Sequence, residues 1–171
     1  MNIAILGAGN VGGTLGRALA GAGHTITYAV RDPGDPKHQP PVADGSAVRA
    51  VREAIAGADA VILATPWAAT EAALAGAGDF GGKPLIDATN PIGPGFTLTH
   101  GHTDSGAEQV ARWAPSARVV KAFNSTGAEN MGNPAYGSAR ALMLVCGDDA
   151  AACQVAQDLA HAERLDTVRE A

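Results

Sequence analysis

The chain has 171 residues and a formal net charge of −5, with 46% hydrophobic and 17% charged residues. That size fits one domain of residues 1–171, and the apolar fraction supports a core and excludes intrinsic disorder. The acidic balance without basic clusters excludes a general nucleic-acid surface, and no apolar run approaches the ~20 residues that span a bilayer. Aromatics are only 4% while glycines number 22, so the core is expected to be built from small residues that let elements pack closely. Met1–Leu6 lacks a basic region and does not read as a signal peptide. Cys146 and Cys153 read as isolated thiols in apolar surroundings, which suits a reducing cytoplasm.

Taken in order, residues 2–6 are a short apolar run bounded by Gly7, as in a buried parallel strand. Val11, Leu15, Ala18, Leu19 and Ala22 follow at helical spacing over residues 10–22, and Gly23 is a candidate C-cap. Residues 25–30 (Thr-Ile-Thr-Tyr-Ala-Val) are β-branched and aromatic, hence a second strand. Residues 32–45, with four prolines and two glycines, form a loop. Val48, Val51 and Ile55 mark a short helix. A third strand is predicted over 59–64, an alanine-rich helix over 67–77, a fourth strand over 84–88 and a loop over 91–104. Ser105 and Glu108 have capping-box spacing ahead of the next helix. A fifth strand is predicted over 117–123, a loop or short helix over 126–139, a sixth strand over 140–146, and a last helix around Cys153, Ala156, Leu159 and Ala160. The alternation predicts an α/β fold: a Rossmann-type, doubly wound parallel sheet in a single domain. Six strands and their helices fill 171 residues and leave no room for a second domain.

The strongest motif is Gly7-Ala8-Gly9-Asn10-Val11-Gly12, a Gly-x-Gly-x-x-Gly run between the first strand and first helix. In that context it predicts dinucleotide binding. Gly7 permits the tight turn, Gly9 lets a pyrophosphate approach the backbone, and Gly12 lets the helix lie close on the strand. The helix N-terminus offers free N–H groups to the phosphates. After the second strand, Arg31 can present a planar fork to a ribose 2′-phosphate and Lys37 a point charge, which favours NADP over NAD. Asp32 is the opposing signal, since a carboxylate at the ribose repels that phosphate. His100 and His102 form a pair without further metal ligands of suitable type, so no metal site is expected. Lys121 ends a predicted buried strand and reads more readily as solvated than as a substrate contact.

With these residues in view, the chain resembles the F420-dependent NADP oxidoreductases. The resemblance rests on the opening through Gly12, on Ala60-Val61-Ile62-Leu63-Ala64-Thr65-Pro66-Trp67, on Asp87-Ala88-Thr89-Asn90-Pro91, on Ser105-Gly106-Ala107-Glu108 and on Val119-Val120-Lys121-Ala122-Phe123-Asn124. It is more distantly similar to pyrroline-carboxylate reductases. The resemblance implies hydride transfer between NADP and a deazaflavin (F420) or flavin-like co-substrate, a small-molecule redox partner. It implies a cofactor site formed by Gly7, Gly9, Asn10, Val11, Gly12, Arg31, Lys37, Ala64, Thr65, Pro66, Asn90 and Pro91. Trp67, Ala122, Phe123 and Asn124 would then line the second-substrate pocket. Asn90 and Asn124 are the side chains best suited to hydrogen-bond a carboxamide or ring carbonyl.

The family continues beyond the last helix with strands and a helix used for dimer packing and pocket closure. Here Leu165–Val168 looks like the start of the next strand before the chain ends at Ala171. An exposed edge or apolar face, and a homodimer that covers it, are therefore expected. Two other readings share the motif: a non-catalytic NADP-sensing module, and a related reductase of small imines or carbonyls.

Overall fold

Ile3–Leu6 are apolar, bounded by Gly7, and form the central strand β1 (Asn2–Leu6). The structure, a computed structural model, describes residues 1–36 and 45–170. After β1 come α1 (Asn10–Gly21), β2 (Thr25–Val30), β3 (Ala47–Ala50), α2 (Val51–Ala56), β4 (Ala60–Leu63) and α3 (Trp67–Ala77). β5 (Pro84–Asp87), α4 (Gly106–Trp113) and β6 (Arg118–Lys121) continue the alternation. A short α5 (Ala128–Gly132), a hairpin of β7 (Ala135–Tyr136) and β8 (Ala139–Arg140), β9 (Leu142–Cys146), α6 (Ala150–Ala162) and β10 (Asp166–Glu170) follow. No helix among the described residues is long and apolar enough to cross a membrane.

The main sheet has eight strands in the order β10-β9-β6-β5-β4-β1-β2-β3. From β1 the chain winds outward to β3, then returns to β4 and winds outward the other way. The reversal falls between β1 and β4, and a crevice at such a switch point is where α/β sheets bind ligands. The first six strands run parallel. β9 runs antiparallel to β6, with Lys121 opposite Cys146, and β10 runs parallel to β9. The mostly parallel, doubly wound sheet is as predicted; the reversal at this edge corrects the expectation of an all-parallel one. Residues 122–141 form α5, which packs against α1, and a small hairpin, rather than a helix that runs back along the sheet. The chain therefore re-enters from the carboxyl end, and an antiparallel strand results.

Other boundaries also differ. The helix predicted at Val48 is strand β3 as far as Ala50, with Val48 paired to Tyr28, and only Val51 and Ile55 are helical. The strand predicted from residue 140 begins at Leu142, because Arg140 belongs to the hairpin. The expected strand onset at Leu165–Val168 is β10.

Burial follows the two-residue period of strands. Ile3 and Ile5 pack with Leu15, Leu19 and Leu159 on the α1–α6 side. Ala4 and Leu6 pack with Ile55, Leu74, Leu85 and Val110 on the α2–α4 side. Small residues permit the closeness expected from composition: a Cβ at Gly16 would lie 2.1 Å from the Tyr28 hydroxyl oxygen. Ser105 and Glu108 form the predicted capping box, each side chain accepting the other's backbone N–H. On β9, Met143 and Val145 face inward while Leu142, Leu144 and Cys146 face outward, with Val168 of β10 beside Leu144. This is the exposed apolar face anticipated at the sheet edge. Cys146 is thus exposed, contrary to the apolar setting read for it, and Cys153 is buried.

Glu163, just after α6, is 4% exposed, and among the described residues neither carboxyl oxygen has a hydrogen-bond partner. Burial pushes its carboxyl up to about 9. The folded protein therefore holds a proton that the unfolded chain releases near pH ~4.3. Stability contributed by that proton is complete below the unfolded value and falls as pH rises towards 9, by about 1.4 kcal/mol per unit within the window. Glu163→Gln removes the titration. Denaturant unfolding from about pH 5 to about pH 9 should show the variant gaining steadily on the wild type, and a pH-independent difference would contradict the assignment.

Candidate functional site

Three residues, Gly7-Ala8-Gly9, turn the chain between β1 and α1. Gly7 has φ of 109°, and a Cβ there would lie 2.7 Å from the Ala64 carbonyl oxygen. That distance measures how closely the ends of β1 and β4 approach. A Cβ on Gly12 would lie only 1.9 Å from the Gly7 carbonyl oxygen, so α1 sits directly on the turn. Gly9 is different: a Cβ there would meet nothing within 4 Å. It is the N-cap of α1, with no side-chain cap and no acidic residue in the first turn. The helix therefore presents uncapped N–H groups and its positive end beside open space. Asn10 is exposed there and Val11 half-buried.

A cavity of about 630 Å³ opens beside this turn, bounded by Gly7, Ala8 and Gly9 of the turn, Arg31 after β2, and Val51 and Arg52 at the start of α2. Thr65 and Pro66 after β4 complete its rim, and Ala69, Ala72, Ala73 and Gly76 give α3 a small-residue wall. The Thr65 and Thr70 hydroxyls lie 3.0 Å apart, and Thr70 donates to the Pro66 carbonyl at 3.2 Å. Arg52 donates from Nε to the Gly76 carbonyl at 3.2 Å, bridging α2 and α3. Arg52 was not singled out in the sequence; it reaches the rim from the first turn of α2. Asp32 accepts the Gly34 N–H at 2.8 Å, so its carboxylate is engaged by its own turn. Lys37 lies outside the described residues.

The remaining predicted residues lie on the other half of the crevice, at the ends of β5 and β6. Asn90 is exposed and Pro91 half-buried. Pro91 packs on Gly106 at the start of α4, where a Cβ would lie 3.2 Å from the proline ring. Asn124 is half-buried. Ala122 and Phe123 are 0% exposed, so their side chains belong to the core rather than to a pocket wall. Phe123 has φ of 58°, a left-handed conformation that costs an L-residue roughly 1–2 kcal/mol, and its N–H donates to the Met143 sulfur at 2.9 Å. Trp67 is half-buried in an aromatic cluster, its ring 5.3 Å from both His100 and Trp113. Among the described residues no group of three potential metal ligands occurs.

Lys121 corrects the sequence reading most clearly. It is not solvated: Nζ lies 3.0 Å from Asp87 Oδ2, the lysine side chain being 18% exposed and the carboxylate 0%. Nζ also donates to the Thr89 carbonyl. Burial holds the Lys121 amine below its ordinary value, opposed by the charge and hydrogen bond of Asp87. Asp87 and Thr89 sit inside the family-like segment but were not singled out. Their partnership with Lys121 spans more than thirty positions of the chain, and no local pattern marks it.

The two glycines make opposite predictions. Gly12→Ala should lower the thermal midpoint sharply, because the new Cβ meets backbone and overpacking of this kind costs ~1–3 kcal/mol or more. Gly9→Ala should keep the wild-type midpoint yet weaken dinucleotide binding in a fluorescence titration. Equal stability losses in both would contradict the geometry.

Comparison with known proteins agrees with this architecture. Residues 2–91 match the family described as NADP oxidoreductase, coenzyme F420-dependent. The crystal structure of a candidate F420-dependent NADP-reductase from Arthrobacter sp. FB24 is 35% identical, over 99% of this chain and 84% of that one, with a TM-score of 0.88. A hypothetical protein from Sinorhizobium meliloti is 26% identical over the same shares, with a TM-score of 0.84. A reductive aminase from Aspergillus terreus shares the fold at 22% identity and a TM-score of 0.72; this chain spans 54% of its length. The match over more than half the chain, together with the Arthrobacter relative, places this protein in the F420-dependent NADP oxidoreductase family, among the NAD(P)-dependent oxidoreductases.

Proposed function

We propose that this protein transfers a hydride between NADP(H) and a deazaflavin of the F420 kind, or a flavin-like acceptor, at the carboxyl ends of β1, β4, β5 and β6. The observation that carries the reading is the uncapped N-terminus of α1 at Gly9, open to a cavity that Arg31 borders. The cradle fits a dinucleotide: backbone packs tightly at Gly7 and Gly12, while the position between them has room for a phosphate.

The chain's own residues act by binding and orienting. Backbone N–H groups of the Gly7–Gly12 turn hold the pyrophosphate. Arg31 takes the 2′-phosphate, while the Gly34 N–H holds the Asp32 carboxylate in its own turn. The small-residue wall of α3 and Val51 leave a flat slot for the adenine. Ala64, Thr65 and Pro66 lead on to the nicotinamide half, where Asn90 and Asn124 are placed to hydrogen-bond a carboxamide or ring carbonyl. NADPH, when bound, supplies the hydride; positioning and exclusion of water are the protein's share of the chemistry.

Two measurements test the reading. NADPH oxidation is followed with F420, with a flavin and with a cyclic imine as acceptor. Turnover with F420 or flavin is the expected result. Turnover with the imine alone would reassign the acceptor, and tight NADPH binding without any turnover would make the protein a sensing module. Arg31→Ala should weaken NADPH by about 10–100-fold, as expected when one charge-assisted hydrogen-bonding group is lost, and leave NADH nearly unchanged. Equal losses for both would overturn the NADP assignment.

A further inference from the structure

Asp87 and Lys121 are register partners at the ends of β5 and β6. The two Asp87 oxygens take three donors: the Thr89 N–H at 2.9 Å, the Thr89 hydroxyl at 2.7 Å and Lys121 Nζ at 3.0 Å. Lys121 gives a second hydrogen bond to the Thr89 carbonyl. The N–H, hydroxyl and carbonyl of Thr89 are therefore all committed to one charged pair. On the other side of the turn, the Pro91 carbonyl accepts the Thr99 N–H at 2.8 Å and the Thr99 hydroxyl at 2.9 Å. The Pro91 ring rests on Gly106. Asn90 lies between these two fixed neighbours. It is exposed, and among the described residues its carboxamide has no protein partner.

Such a pair is a poor device for stability alone. Desolvating two charges offsets most of their attraction, and apolar replacements of similar volume are often neutral or stabilising. What this pair does achieve is to fix the backbone immediately before Asn90. A side chain that must meet a ligand in one geometry gains affinity when its own backbone is already ordered.

We propose that Lys121 is a positioning residue: through Asp87 and Thr89 it fixes the turn that presents the Asn90 carboxamide to the nicotinamide end of NADP(H). The inference rests on the NADP reading above and deepens it. It divides the crevice into an adenosine half whose walls are small residues and a nicotinamide half whose geometry is held by a buried ion pair. Lys121 itself touches neither cofactor nor acceptor.

The test pairs Asp87→Leu with Lys121→Met in one chain, so that no lone charge is left buried. Binding of 2′,5′-ADP reports the adenosine half, and binding of NADPH reports both halves. The double variant should keep its thermal midpoint and its 2′,5′-ADP affinity while NADPH affinity falls about tenfold or more. Asn90→Ala should give a similar loss alone and add little in the double-variant background, because both changes remove the same interaction. Wild-type NADPH affinity in the double variant, or additive losses with Asn90→Ala, would overturn the proposal. If the double variant does not fold, Thr89→Val, which removes one donor to Asp87, should lower NADPH affinity and spare 2′,5′-ADP; wild-type affinity for NADPH, or equal fold-losses for both ligands, would overturn it too. Failure of the wild type to bind 2′,5′-ADP would instead remove the NADP reading, and the inference with it.

Discussion

The contact between Gly12 and the Gly7 carbonyl is the constraint on which the site depends. It seats the first turn of α1 directly on the end of β1, closer than any side chain allows. Because α1 cannot ride higher, its uncapped N–H groups open at the level of the strand ends. Gly7 in turn abuts Ala64, which draws the end of β4 to the same level. The switch point of the sheet is thus a narrow cleft between two strands whose termini are held together by backbone packing.

From that cleft the two halves of the crevice are built by different physics. Towards β3 the walls are alanines and glycine from α3, with Val51 opposite, and an aliphatic-lined slot of this kind suits a flat apolar ring. Arginines stand at its rim, where their charge remains solvated. Towards β6 the end of the sheet carries buried charge and a strained backbone. Asp87 and Lys121 lock Thr89, and Phe123 is held in a left-handed conformation by core burial of its ring and the Met143 contact. On the proposed function, one half accommodates its occupant by apolar contact and the other places a few polar groups accurately.

Legibility in the sequence followed how local each interaction is. The β1–α1–β2 unit was readable because its strand, turn and helix signals adjoin, and Gly7 and Gly12 make the tight turn and the close packing that their positions implied. The Ser105–Glu108 cap was readable for the same reason. Val48 was not, since its spacing with Val51 and Ile55 imitates a helix while pairing with β2 makes it strand. The direction of β9 was not, because it depends on where α5 and the hairpin pack after β6, which no local pattern marks. Trp67 and Phe123 sit where strand ends place them, yet their rings turn to Trp113 and His100 in one case and to the core in the other.

By itself the sequence determined a dinucleotide-type βαβ unit, the doubly wound alternation and the charge at the end of β2. These depend on residue type at short range: glycine where a Cβ has no room, apolar runs where both sheet faces are covered, an arginine immediately after a strand. Only the tertiary structure decided that Lys121 is paired rather than solvated and that Glu163 is buried with no hydrogen-bond partner among the described residues. A charged side chain takes its state from the atoms folding brings against it, and for Lys121 the partner carboxylate lies 34 positions away in the chain.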